Sequence, residues 1–199
     1  MADPRRMSRD DRRTAFLDVA ADLVDRAGAG ALSFESLAGA AGVAKTLPYA
    51  YFDSKDEILL TLFERVIGGI DAQVDAVLSG DEPFDLLVRR SLEVWFDAAR
   101  DHGRLVAALL DARAVPGLAD AVDRRDRASH KRWHDVVVDR LGLVDPDAHL
   151  LAATLNASAT ATIELWSRRR GSRTALLDAF VVMATGAADG LRRRPDGDA

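Results

Sequence analysis

Between Ser33 and Lys55 the chain gathers side chains suited to an anionic polymer. There are hydroxyls at Ser33, Ser36 and Thr46, ammonium groups at Lys45 and Lys55, and phenols at Tyr49 and Tyr51. Such groups donate to phosphate and sugar oxygens, and backbone N–H groups at a helix start can hold a phosphate beside them. The residues that catalysis would use are not so arranged. There is no cysteine, which excludes disulfides, thiol nucleophiles and Cys-based zinc sites. No phosphate-cradling glycine loop, no Ser/His/Asp order with elbow glycines and no obvious carboxylate pair is present, so no enzyme is expected. His130 and His134 stand at i and i+4, a spacing that can hold a metal. Without an H-E-x-x-H motif beside them, neither a metal site nor a cofactor is expected.

These residues need elements to present them, and the periodicity is helical almost throughout. Phe16, Ala20, Leu23, Val24 and Ala27 fall on one face of a first helix that stops at Gly28. Ser33 caps a short second helix whose apolar face is Phe34, Leu37, Ala38 and Ala41, and Gly42 turns the chain. A tyrosine-bearing segment comes next, and Ser54 with Glu57 forms a capping box that opens a long helix. Two short helices joined by a glycine turn make a helix-turn-helix, which presents its second helix to the major groove. Further helices are expected over about 83–102, 104–114, 118–141, 145–170 and 172–193. The fold class is all-α: a three-helix helix-turn-helix head (10–54) and a helical body (55–194), with about nine helices.

The strings S-F-E-S-L-A-G-A-A-G-V-A-K and Y-A-Y-F-D-S-K-D-E resemble the DNA-binding head of the tetracycline-repressor (TetR) family over about residues 12–60. Beyond that only helix number and order agree. The resemblance implies a homodimeric, ligand-responsive transcriptional repressor whose third helix reads DNA and whose body binds an effector. It assigns Lys45, Thr46, Leu47, Tyr49, Ala50 and Tyr51 to the DNA-facing segment, makes Lys55 a phosphate clamp, and places Ser33 and Ser36 near phosphate.

Three positions depart from the family pattern: Ala44, Pro48 and Ala50. Pro48 lacks a backbone donor and disfavours helical dihedrals at Leu47. The recognition helix is therefore expected to be distorted in its first turn or to start late, at Pro48. With Leu47, Pro48 and Ala50 here, readout should lean on thymine-methyl contacts, backbone contacts and DNA shape.

In the body, Trp95, Phe96, Arg113, His130, Trp133, His134, Asn156 and Thr160 occupy inward-looking helical positions and would line a pocket for a small organic effector. Small residues in the last two expected helices, among them Ala153, Ala157, Ala161, Ala184 and Ala187, together with Phe180, suit a two-fold four-helix interface. A homodimer on a palindromic DNA operator is the expectation that this symmetry carries.

Charge argues the other way. The net charge is −5, and residues 1–60 hold eight arginines and lysines against ten acids, a balance of −2. Phosphate contact must come from local clusters, the best being Arg5 to Arg13 followed by Lys45 and Lys55. A helical dimeric ligand-binding protein with weak or lost DNA binding stays open as the alternative. The charged N-terminus does not read as a signal peptide, and no apolar run reads as approaching membrane length, so a cytoplasmic protein without a membrane partner is expected.

Overall fold

The computed structural model describes residues 8–111 and 115–194, and every regular element among them is helical. Seven α-helices run in order: α1 (Arg9–Ala27), α2 (Phe34–Ala41), α3 (Lys55–Leu78), α4 (Phe84–Asp111), α5 (Leu118–Leu141), α6 (Asp147–Ser167) and α7 (Arg173–Arg192). Short 3-10 turns occupy Ala29–Ala31 and Pro48–Ala50. Seven α-helices stand against about nine expected because the tyrosine-bearing segment forms a 3-10 turn, and because the two segments foreseen on either side of His102 join across a kink and are counted together as α4. The backbone leaves helical geometry at His102 (φ −143°, ψ 36°), so α4 is kinked there.

Local chemistry explains the starts and stops. Ser8 and Asp11 form a capping box on α1, and Ser33 and Ser36 form one on α2. Gly42 takes the left-handed conformation (φ 66°, ψ 33°). Its N–H bonds Gly39 O at 3.2 Å, and the Val43 N–H bonds Ala38 O at 3.0 Å. This Schellman arrangement ends α2 in a sharp turn that a side chain with a Cβ would strain. Ser54 Oγ accepts from the Glu57 N–H at 3.0 Å to start α3, and Ser172 Oγ accepts from the Ala175 N–H at the start of α7.

The chain divides into two compact units. The first comprises Met1–Gly68 with His102–Val122, the second Gly69–Asp101 with Asp123–Ala199. The first unit buries Phe16, Leu17, Ala20 and Val24 of α1, Leu37 and Ala38 of α2, Phe52, and Ile58, Leu59 and Leu62 of α3. Arg65 pairs with Asp18 at 2.8 Å, and the Leu105 N–H bonds Asp25 Oδ1 at 2.9 Å. The second unit packs Val74, Leu87, Leu92, Phe96, Trp133, Val137, Leu151, Leu155, Phe180 and Ala184 into one apolar cluster.

Within the second unit Asp71, whose side chain is only 13% exposed, accepts from both Arg125 and Arg132 at 3.2 Å. The Arg125 guanidinium also lies over the Trp95 ring, 4.8 Å from its centroid. Contrary to the expectation from the sequence, α7 could cross a membrane by length and composition, with a mean hydropathy of 1.4. Here Leu177, Phe180, Ala184 and Ala188 face the core and Asp178 pairs with Arg89, so α7 is a packed helix of the second unit.

Candidate nucleic-acid interface and effector site

The residues after Gly42 do not form an α-helix. Leu47 N bonds Ala44 O at 2.9 Å, Ala50 N bonds Leu47 O at 3.1 Å and Tyr51 N bonds Pro48 O at 3.0 Å, a run of i to i+3 contacts. Pro48 is the first residue of the 3-10 turn and is itself buried. The late, distorted start expected from proline is therefore present. Leu47, however, keeps helical dihedrals (φ −67°, ψ −41°) and is not pushed out of them. A proline at the first position of a turn needs no donor, and the 3-10 geometry accommodates the residue before it.

Lys45, Thr46, Tyr49 and Ala50 are exposed on this turn, with Leu47 and Tyr51 half-buried. Tyr49 is 62% exposed, yet its ring stacks on Phe34 of α2 with centroids 4.1 Å apart and planes 14° from parallel. The stacking holds the phenol outward at small entropic cost. Tyr51 turns inward, its ring 5.4 Å from that of Phe16, so of the two tyrosines it is the one that shares in packing the head. Arg9 donates to Ala50 O at 3.3 Å and ties the turn to α1.

The charges are partly compensated. Lys45 is hydrogen-bonded to Glu35, an exposed pair. Arg13 pairs with Glu57 at 2.9 Å and lies over Phe52, so it braces the head. Arg5 and Arg6 lie outside the described residues. Lys55 is the first residue of α3. Ser33 and Ser36 spend their hydroxyls on each other's backbone N–H groups, and Ser36 also donates to Ala31 O at 2.9 Å. Phe34, the platform under Tyr49, is legible in the sequence only as part of an apolar face. Its position one residue after the cap is the signal that could have marked it.

In the second unit the described effector candidates are spread over α4, α5 and α6. Phe96 and Trp133 are buried in the core, Trp95 is half-buried under Arg125, and Thr160 is exposed. Asn156 accepts from the Ser129 hydroxyl at 2.6 Å. Arg113 lies outside the described residues. A cleft of about 370 Å³ opens instead at the corner between α5 and α6, lined by residues 141–147 with Leu191, Arg192 and Arg194. None of the expected effector residues lines it.

At the same corner His134 Nε2 lies 2.9 Å from Asp145 Oδ1, and His149 Nε2 lies 3.4 Å from Asp145 Oδ2. The hydrogen bond from His134 holds the Asp145 carboxyl below its ordinary value. Among the expected pairing residues, Ala153, Ala157 and Ala161 are exposed on α6 and Ala187 is half-buried on α7. Phe180 and Ala184 are buried inside the protomer. Leu150, at 57% exposure, and Val182, at 70%, are large apolar residues left uncovered on α6 and α7.

Comparison with known proteins agrees with this geometry. Residues 16–62 match the family described as "Bacterial regulatory proteins, tetR family". The HTH-type transcriptional regulator EthR of Mycobacterium tuberculosis is 32% identical over 112 residues, a match spanning 55% of this chain and 52% of that protein. The chain thus spans about half the length of the curated relatives it matches. Among solved structures, a TetR-like transcriptional regulator from Rhodococcus sp. RHA1 superposes with a TM-score of 0.73 at 20% identity, covering 93% of this chain and 100% of that one. AibR, solved with isovaleryl coenzyme A and operator DNA, superposes with a TM-score of 0.68 at 18% identity, covering 86% and 97%. Over residues 16–62 the chain is thus similar to the tetR family of bacterial regulatory proteins, and its fold is shared with solved structures along most of its length.

Proposed function

We propose that the protein is a ligand-responsive transcriptional regulator, a repressor that binds a palindromic operator as a homodimer and is released by a small organic effector. One observation carries the DNA-binding part: the turn Lys45–Ala50 stands exposed after the Gly42 turn, with Tyr49 stacked outward on Phe34 and Lys55 beginning the next helix. Lys45, Thr46, Tyr49 and Lys55 contact the backbone. Ala50 and Leu47 meet thymine methyls, and the rest of the readout is DNA shape. Residues 10–54 carry DNA binding, and 55–194 carry effector binding and dimerisation, in the cytoplasm. No catalytic role is proposed.

The effector is taken up by the second unit, where Trp95 and the Ser129–Asn156 pair supply an apolar wall and polar groups. Among the described residues the buried Ser91 hydroxyl there has no hydrogen-bond partner. The effector acts by favouring a conformation in which two heads no longer match the operator spacing. AibR was solved with an acyl-coenzyme A, so that class is the first to screen.

Electrophoretic mobility shift with DNA flanking the protein's own gene tests the reading. Saturable, salt-sensitive retardation is expected, weakened by Tyr49→Ala without loss of fold. No retardation at micromolar protein would favour the second reading, a helical dimeric ligand-binding protein with weak or lost DNA binding. That reading has its own support in the pairing of Lys45 with Glu35.

A further inference from the structure

We propose that His134, Asp145 and His149 form a binding site for a divalent transition-metal ion at the corner between α5 and α6, with His130 and Asp135 as positioning residues. The three ligand groups lie within 4.8 Å of one another. His134 comes from α5, Asp145 from the connecting loop and His149 from the first turn of α6, so only the fold assembles them. Both imidazoles aim the same atom, Nε2, at the same carboxylate, at 2.9 and 3.4 Å. Ligand atoms around a tetrahedral zinc ion, about 2.0–2.2 Å from the metal, are roughly 3.3 Å apart, which the two imidazole–carboxylate separations already approach, so admitting an ion requires only that the wider span of the group, within 4.8 Å, draw in.

The other nitrogen of each imidazole is also engaged. His149 Nδ1 lies 3.1 Å from His130 Nε2, and His134 Nδ1 lies 3.7 Å from Asp135 Oδ1, a carboxylate that Lys131 holds at 2.6 Å. Outer partners of this kind set the tautomer and ring orientation of metal-bound histidines. The His149 and His130 rings are close to parallel, at 18°, with centroids 5.3 Å apart. Half of His149 and of Asp145 is open to solvent, which supplies an entry path.

Two imidazoles and one carboxylate, with no thiolate, suit Zn²⁺, Co²⁺, Ni²⁺ or Cu²⁺ and disfavour Mg²⁺ and Ca²⁺. Three protein ligands leave the fourth tetrahedral position to water or an added ligand. The bound ion would join the end of α5 to the start of α6. The site does not depend on the DNA-binding reading.

The test uses full-length protein free of any polyhistidine tag and dialysed against EDTA. Titration calorimetry with Zn²⁺, and the visible spectrum with Co²⁺, are the readouts. Binding of one ion per chain at micromolar affinity or tighter is expected, with a Zn²⁺-dependent rise in Tm and no response to Mg²⁺. His134→Ala/His149→Ala and Asp145→Asn should each weaken binding at least tenfold. His130→Gln should weaken it less and leave the stoichiometry at one. Circular dichroism of each variant checks the fold. Absence of saturable binding, or stoichiometric binding that survives the double substitution in folded protein, overturns the proposal.

Discussion

At the scale of single residues, Lys45 is a proposed DNA contact that is already paired in the free protein. Its ammonium is hydrogen-bonded to Glu35, a partner that a phosphate would have to displace. Exposed pairs contribute at most about 1 kcal/mol, so the contest is close. Glu35→Gln is therefore expected to tighten operator binding by roughly two- to fivefold, read by mobility shift at fixed salt. Lys45→Ala should flatten the plot of log affinity against log salt by about 0.9 per half-site. A change in affinity with the slope untouched would mean that Lys45 does not meet phosphate. Ser33 and Ser36 differ from Lys45, because their hydroxyls already satisfy the start of α2. Ser33→Ala is expected to cost about 1 kcal/mol of stability, seen as a lower Tm, before any effect on DNA.

At the scale of elements, the second unit depends on one carboxylate of α3. Asp71 is nearly buried and receives both Arg125 and Arg132 of α5. Removing it takes away the carboxylate the two arginines share and leaves Arg125 to Asp126 and Arg132 to Asp75, with two guanidiniums under-compensated in a poorly solvated place. Asp71→Ala should lower unfolding stability by about 2 kcal/mol, with the urea midpoint falling and the slope m unchanged. Glu164→Ala, which removes an exposed partner of Arg168, should change it by less than about 0.5 kcal/mol. Equal losses for the two would show that burial does not set the cost. The turn Pro48–Ala50 obeys the same logic of local chemistry: proline at its first position dispenses with a donor, and the buried Phe52 ring anchors the stretch between the turn and α3.

At the scale of the whole molecule, the acidic balance of the chain makes symmetry important. With a net charge of −5, one head has a weak field for DNA, and in the proposed homodimer two heads would gain by effective concentration. The uncovered face of α6 and α7, with Ala153, Ala157, Ala161, Leu150 and Val182, is where the second copy is expected to pack. Ala157→Arg should yield a monomer in sedimentation with unchanged helix content and no operator retardation. Phe180→Ala should instead destabilise each protomer by about 3–5 kcal/mol, because Phe180 lies within its own core. A dimer that persists in Ala157→Arg would place the interface elsewhere.

The all-α class, the caps at Ser33 and Ser54, the Gly42 turn, the break at Pro48 and the span of α5 are all legible in the chain, because each rests on periodicity or on a residue bonding its near neighbours. Side chains brought together across the chain are not. Nothing local tells Tyr49 from Tyr51, and only packing against Phe34 and Phe16 sends one outward and the other in. A motif on one helix would place the carboxylate beside His130 and His134 in sequence, whereas Asp145 and His149 arrive from the next loop and helix. Phe180 and Ala184 read as pairing residues until the fold turns them into the core. Local order is a matter of spacing along the chain, but a site is a matter of which faces meet, and tertiary packing alone decides that.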